Sequence, residues 1–228
     1  MSYLYETHMH TMQGSACGRS TGKEMVRAYK EVGYTGVFVT DHFFNGNCAV
    51  DRNLSWEEKV ELFCKGYESA KEEGDQIGMD VFFGFEYCVD AADFLVYNLS
   101  KEWLLKYPDI DKWEPRTAFA RMHEDGGFIV HAHPFREREY INHIHLFPRD
   151  VDGVEVINGG QMHEPWMNER AEIYAMMYDL PKTSGSDSHF AGGLPGCGIQ
   201  VEKKIEKPTD YLEMLRNREL ILLGGKEE

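Results

Sequence analysis

Tyr3-Leu4-Tyr5-Glu6-Thr7 runs straight into His8-Met9-His10, and the same construction returns four more times along the chain. Gly36-Val37-Phe38-Val39-Thr40 runs into Asp41-His42, and Val81-Phe82-Phe83-Gly84-Phe85 runs into Glu86. Phe128-Ile129-Val130 leads to His131-Ala132-His133-Pro134, and Thr183-Ser184-Gly185-Ser186 leads to Asp187-Ser188-His189. Each is a strand candidate that ends on an imidazole or a carboxylate. Working outward, strands are expected over 3–7, 36–40, 81–85, 94–98, 128–131, 153–157 and 182–185, with weaker candidates at 198–201 and 220–223. Helical patterns cover 22–32, 56–73, 116–124, 165–178 and 209–217. Strands alternating with helices predict an α/β fold with a parallel sheet and helices outside it. Seven strands favour a closed, TIM-barrel-like (βα) barrel over an open doubly wound sheet, and the carboxyl ends of barrel strands form the active face. Five elements would then aim metal-ligating side chains at one mouth.

Bulk properties agree with one domain spanning residues 1–228, a length that α/β barrels commonly occupy as a unit. The apolar fraction of 42% is ordinary for a globular chain. No apolar run reaches the ~20 residues that span a bilayer, and the start, Met1 to His10, lacks the basic and apolar segments of a secretory signal. A cytoplasmic protein without a membrane partner is expected. The five cysteines include no C-x-x-C pair, which argues against a disulfide framework or a zinc knuckle. A net charge of -15 disfavours long nucleic acid as a partner, while a small anionic substrate held by bound cations stays compatible with it. No G-x-G-x-x-G follows the first strand and no P-loop motif occurs, so dinucleotide and nucleoside-triphosphate folds lack support.

His8 and His10 stand two apart at a strand end, so both rings point to one side and can serve one ion. A single H-x-H is weak in a chain of ten histidines, and His143-Ile144-His145 is a decoy in an irregular stretch. Asp187 and His189 repeat the spacing in a Gly/Ser-rich turn. Glu86 closes an apolar strand, where an ionised carboxylate is costly unless paired or metal-bound, and its two oxygens could bridge two ions. His42 would ligate, with Asp41 orienting a neighbouring ligand. Either or both of His131 and His133 could reach the mouth. Cys17 and Cys48 lie in loops after the first two motifs, where a buried or free thiol is the ordinary reading and a soft ligand the alternative.

The ordered series H-M-H (8–10), T-D-H (40–42), G-F-E (84–86), H-A-H-P (131–134) and S-D-S-H (186–189), with E-V-I-N at 155–158, resembles the PHP (polymerase and histidinol phosphatase) family over residues 1 to about 200. The resemblance implies a distorted seven-stranded (βα) barrel, two or three divalent ions (Mn, Zn or Fe) and hydrolysis of phosphate esters. Carried over, His8, His10, Glu86 and Asp187 would hold the first ion, Glu86 and His133 the second, and His42 and His189 the third, leaving His131 behind the ligands. Two departures stand out. The loop after H-x-H, where the family often has a His or Asp, reads Gln13-Gly14-Ser15-Ala16-Cys17-Gly18. Where the family usually has a histidine on the strand after G-x-E, this chain offers Asp93, a carboxylate that would favour Mn or Fe over Zn.

A metal-activated water attacking phosphorus is the implied chemistry, with Glu86, Asp187 and His189 as catalytic candidates and either His189 or Asp187 protonating the leaving oxygen. Arg19 and Arg136 follow metal motifs and suit bidentate contact with a phosphoryl group. The favoured activity is a small-molecule phosphomonoesterase acting on a small phosphorylated substrate. The rivals are a phosphodiesterase acting on nucleotides or short oligonucleotides, a non-catalytic metal-binding barrel, and amide or lactone hydrolysis, which would not need the arginines.

Overall fold

The computed structural model describes residues 2–224. All seven expected strands are there, and both weaker candidates join them. The strands are β1 (Tyr3–Met9), β2 (Gly36–Val39), β3 (Asp80–Val89), β4 (Ala92–Tyr97), β5 (Phe128–Ala132), β6 (Gly153–Asn158), β7 (Lys182–Gly185), β8 (Gly198–Val201) and β9 (Ile221–Leu223). They form one nine-stranded sheet in the order β7-β6-β5-β4-β3-β2-β1-β8-β9, which corrects the seven-stranded, parallel expectation. The sheet nearly closes on itself. Beyond the end of β1, His10 N donates to Ser188 O at 2.9 Å, which brings the far edge, just past β7, against β1. At the opposite end of β1, antiparallel β8 pairs along it, with Tyr3 opposite Val201, and β9 extends the sheet from there.

β4 is the main departure from a parallel barrel. Asp90 and Ala91 both adopt positive φ, 47° and 65°, and link Val89 to its pairing partner Ala92. Two central residues with positive φ define a type I′ hairpin turn, so the chain folds straight back with no helical crossover. β4 therefore runs antiparallel to both β3 and β5.

Seven helices pack around the sheet: α1 (Gly22–Glu31), α2 (Trp56–Phe63), α3 (Lys65–Ile77), α4 (Lys101–Lys106), α5 (Pro115–Glu124), α6 (Trp166–Met177) and α7 (Pro208–Arg216), counted among the described residues. Thr21 and Ser55 open α1 and α2 with reciprocal caps to Glu24 and Glu58. Met25, Val26 and Tyr29 of α1 pack with Ala70 of α3 on Val37, Val39 and Val81. Val60 and Phe63 of α2 and Phe119 of α5 share a second layer with Phe85, Phe94 and Ile129. Inside the sheet, Tyr5, Phe38, Leu95, Tyr97 and Val130 meet Tyr211 of α7, which plugs the end opposite the mouth.

The single helix expected over 56–73 is two helices broken at Cys64. The break seats the first turn of α3 against the loops of the mouth. A Cβ on Gly66 would come 2.1 Å from Thr11 Oγ1 and 2.7 Å from Asp41 Oδ2. Gly66→Ala is accordingly expected to lower stability by ~1–3 kcal/mol through overpacking, despite alanine's better helix propensity. Urea denaturation measures this, and an unchanged midpoint would show that the mouth loops yield freely.

Candidate metal centre

Three local distortions aim the ligands. The pairing of β1 with β2 slips between Glu6 and Met9, a bulge that breaks strict alternation. Leu4 and Met9 consequently face the α1–α3 layer, while His8 and His10 turn to the mouth. Past the end of β5, His133 takes φ 27°, and past β7, Asp187 takes φ 52°. Positive φ at non-glycine residues is strained backbone of the kind that collects at functional sites. Beyond β2 and along β3, His42 lies beside Glu86 in a parallel bridge, and Glu86 N donates to Asp41 O at 2.9 Å.

The donor atoms converge as three overlapping groups, within each of which the candidate ligand atoms lie no more than 4.8 Å apart: His8, His10 and Asp187; His8, Glu86 and His133; and His10, His42 and His189. His8 Nε2 is 3.0 Å from His10 Nε2 and 3.4 Å from Glu86 Oε1. His10 Nε2 is 3.2 Å from Asp187 Oδ1, and His133 Nε2 is 3.1 Å from Glu86 Oε1. His42 Nδ1 presses on Glu86 Oε2. That oxygen is buried, receives no properly directed hydrogen bond, and faces ring nitrogens from two sides. Such an orphaned anionic oxygen among imidazoles fits a divalent cation, and the mixed N/O set suits Zn, Mn or Fe.

A surrounding set of buried groups fixes which nitrogen faces the cluster. Glu155 Oε1 takes a hydrogen bond from His8 Nδ1 at 2.9 Å, and its Oε2 accepts from His133 N and Asn158 Nδ2. Asp41 accepts from Thr11 N, Thr11 Oγ1 and Ser15 Oγ, and Ser15 Oγ in turn lies 3.0 Å from His10 Nδ1. Glu6 accepts from His8 N, Ser186 N and Tyr29 Oη, tying β1 to the β7 turn. Each Nδ1 so engaged leaves Nε2 as the ligand atom. Sequence reasoning assigned no role to Glu155, Glu6 or Ser15. The available signal was a carboxylate inside an otherwise apolar strand, present in both Glu6 and Glu155.

Asp93 comes beside the cluster and not into it. It pairs opposite Cys88, two residues beyond Glu86, and its Oδ2 lies 3.6 Å from Arg136 Nη1. His131 points away from the mouth, stacked on Phe94, and neither of its ring nitrogens has a partner. The φ of His133 turns the two rings of H-A-H to different sides. His143 and His145 lie outside the cluster, and His123 pairs with Asp152 at 2.8 Å. Arg19 and Arg136 line a cleft of about 910 Å³ whose floor carries His42, His133, Asp187 and His189, and Cys17 lines it too. Arg138 is engaged elsewhere, by Glu164 at 3.0 Å.

Residues 165–220, which contain Asp187 and His189, match the PHP-associated family. An uncharacterized protein of Methanocaldococcus jannaschii is 29% identical over 63% of this chain, and the chain spans 63% of that relative's length. A crystallised two-domain protein of Bacteroides vulgatus, containing a region predicted to be a PHP-like metal-dependent phosphoesterase, superposes with a TM-score of 0.71 at 17% identity. That match covers 97% of this chain and 64% of the other. A lesion-specific endonuclease of Pyrococcus furiosus superposes with a TM-score of 0.58 at 11% identity, over 95% of this chain and 56% of that one. These structures share the fold.

Protonation in the mouth follows the carboxylates. Burial works against a charge on His8, but Glu155, Asp187 and Glu86 outweigh it and hold the imidazole pKa well above its usual value. Burial likewise opposes ionisation of Glu86, yet the charges of His42 and His8 and the hydrogen bond from His133 hold it far below the carboxylate range. His10 is kept neutral by burial and by the nearby His189 and His42. A cation entering here must displace the protons that carboxylates retain on His8, His42 and His133. Divalent-metal affinity is therefore expected to rise with pH and fall as the imidazoles protonate. Calorimetry in buffers of different ionisation enthalpy should register proton release on binding; none at any pH would contradict this protonation pattern. Glu155→Gln should weaken metal binding by ~10–100-fold with the fold retained, measured by competition with a chromophoric chelator.

Proposed function

We propose that this protein is a metal-dependent phosphoesterase of the PHP type, and that its substrate is a small phosphate monoester. The observation that carries the reading is the meeting of three ligand groups on the floor of a cleft flanked by two arginines. Divalent ions held there would activate a water as nucleophile and neutralise charge building on the phosphoryl oxygens.

The chain's own residues supply the rest. Arg136 lines the mouth, its Nη1 3.6 Å from Asp93 Oδ2, with Asp187 and Glu86 close enough to attract its charge. Arg19 is exposed at the rim, its backbone tied to His189 O at 2.8 Å. Both guanidiniums suit the non-bridging oxygens of a phosphoryl group. Asp187 is held ionised, because His8 and His10 outweigh its burial, so it acts as ligand and acceptor. His189 is then the group able to give a proton to the leaving oxygen whenever no ion engages it. Tyr140 and Phe190 expose their rings along the cleft wall and suit a leaving group with a flat or apolar part.

A phosphodiesterase acting on nucleotides or oligonucleotides is the second reading, favoured by the likeness to the Pyrococcus endonuclease. The net charge of -15 favours the smaller substrate. An assay with added Mn that follows inorganic phosphate and nucleoside monophosphate separately distinguishes the two. Phosphate release is expected, Asp187→Asn should lower kcat on the order of 100-fold or more, and Arg136→Ala should lower kcat/KM by ~10–100-fold. Neither product with any divalent metal would overturn both readings.

A further inference from the structure

We propose that the outer face of α6 is the contact surface of a symmetric dimer of this chain, in which two α6 helices lie antiparallel across a two-fold axis. The inference is independent of the chemistry at the mouth, and it accounts for a surface helix that is apolar on both sides.

A helix on a domain surface keeps its apolar residues for the core and turns polar ones outward. α1 obeys this rule, exposing Glu24, Arg27, Lys30 and Glu31, and α5 likewise exposes Arg116, Thr117 and Glu124. α6 does not. On its inner face Ala171, Tyr174 and Ala175 pack with Val154 and Val156 of β6. Trp166, Ile173 and Met177 stand at i, i+7 and i+11, so they form one stripe on the other side. Met176 lies beside that stripe and Tyr178 follows its end. In chain order these five residues are 42%, 55%, 65%, 74% and 50% exposed.

At roughly 200 Å² per large side chain, they present on the order of 550 Å² of mostly apolar surface. That is the upper end of the ~300–600 Å² reached by the largest apolar patch of a monomer, which is often functional. A stable interface buries about 800 Å² on each partner around an apolar core. The face therefore supplies the core of such an interface and needs only a polar rim. The rim is present and carries both signs: Arg170 pairs with Glu137, Lys182 with Glu172 and Arg218 with Asp179. Two copies meet here across balanced ion pairs, whereas a net charge of -15 sets their surfaces against each other elsewhere. Two-fold symmetry makes the contact isologous. Trp166 and Met177 are the first and last residues of α6, so antiparallel pairing puts Trp166 of each copy against Met177 of the other. Sulfur against an indole edge is a favourable contact, and each helix N-terminus then lies beside the other's C-terminus, where the dipoles attract.

Sedimentation velocity of the full-length protein across roughly 1–100 μM tests this. The wild type is expected to reach twice the chain's mass within that range. Ile173→Glu and Met177→Glu should each weaken association on the order of 30-fold or more. Leu62→Glu, at a comparably exposed apolar position on α2, should leave it unchanged. Thermal melts check that each variant is folded. If both α6 variants prove unfolded, peroxide oxidation of Met176 and Met177 in the wild type, read by mass spectrometry, serves instead; it is expected to slow severalfold from the lowest to the highest concentration. A wild type that stays monomeric throughout overturns the proposal. So does a dimer that survives both α6 substitutions or falls apart with Leu62→Glu, and so do oxidation rates indifferent to concentration.

Discussion

Glu86 is an ionised carboxylate enclosed by the barrel, and the rings of His42, His8 and His133 are foremost in offsetting its charge. One oxygen accepts from His133, while the other meets His42 and His10 with no directed hydrogen bond. A lone buried carboxylate would take up a proton to escape this cost. Here the rings of His8, His42 and His133 surround it and keep it charged. The rest of the mouth is built to hold those rings. Glu155 turns His8, Ser15 turns His10, and Asp41 anchors Ser15. Metal binding and imidazole orientation are thus one design, in which carboxylates at the back decide which nitrogen is offered at the front.

Strain is concentrated where this design needs it. The β1 bulge and the positive φ of His133 and Asp187 all lie within the cluster. The glycines nearby permit close approach: a Cβ on Gly185 would fall 2.5 Å from Glu155 Oε1 and 2.6 Å from His8 Cβ. Such packing leaves the ligands little rotamer freedom, so the site is formed before any ion or substrate arrives. The outer layers make this affordable, with Phe43, Phe85, Tyr87 and Phe119 packed against the helices on the far face of β3 and β4.

The antiparallel β4 shapes the cleft as well as the sheet. Entering from the mouth, it puts Asp93 above Glu86, where the carboxylate meets Arg136. A position from which a ligand was expected instead steadies a phosphate-binding candidate. His131 shows the opposite case, a histidine in a ligand-like motif that ends up stacked on Phe94 with a pKa pushed down to about 3 by burial and the nearby His133.

Residue types and their order determined that strands would end on ligands at one mouth, because a βα alternation turns strand ends toward one face whatever the details of pairing. His8, His10, His42, Glu86, His133, Asp187 and His189 were all legible in this way. What lay beyond the sequence depended on backbone conformations that carry no strong local signature. The Asp90-Ala91 turn reverses β4, the φ of His133 separates it from His131, and the β1 bulge aims His8. Only tertiary structure could bring Glu155 behind His8 across 147 residues. Periodicity reports which face a residue favours within its own element; contacts between distant elements, and the strain that makes them possible, are settled by packing.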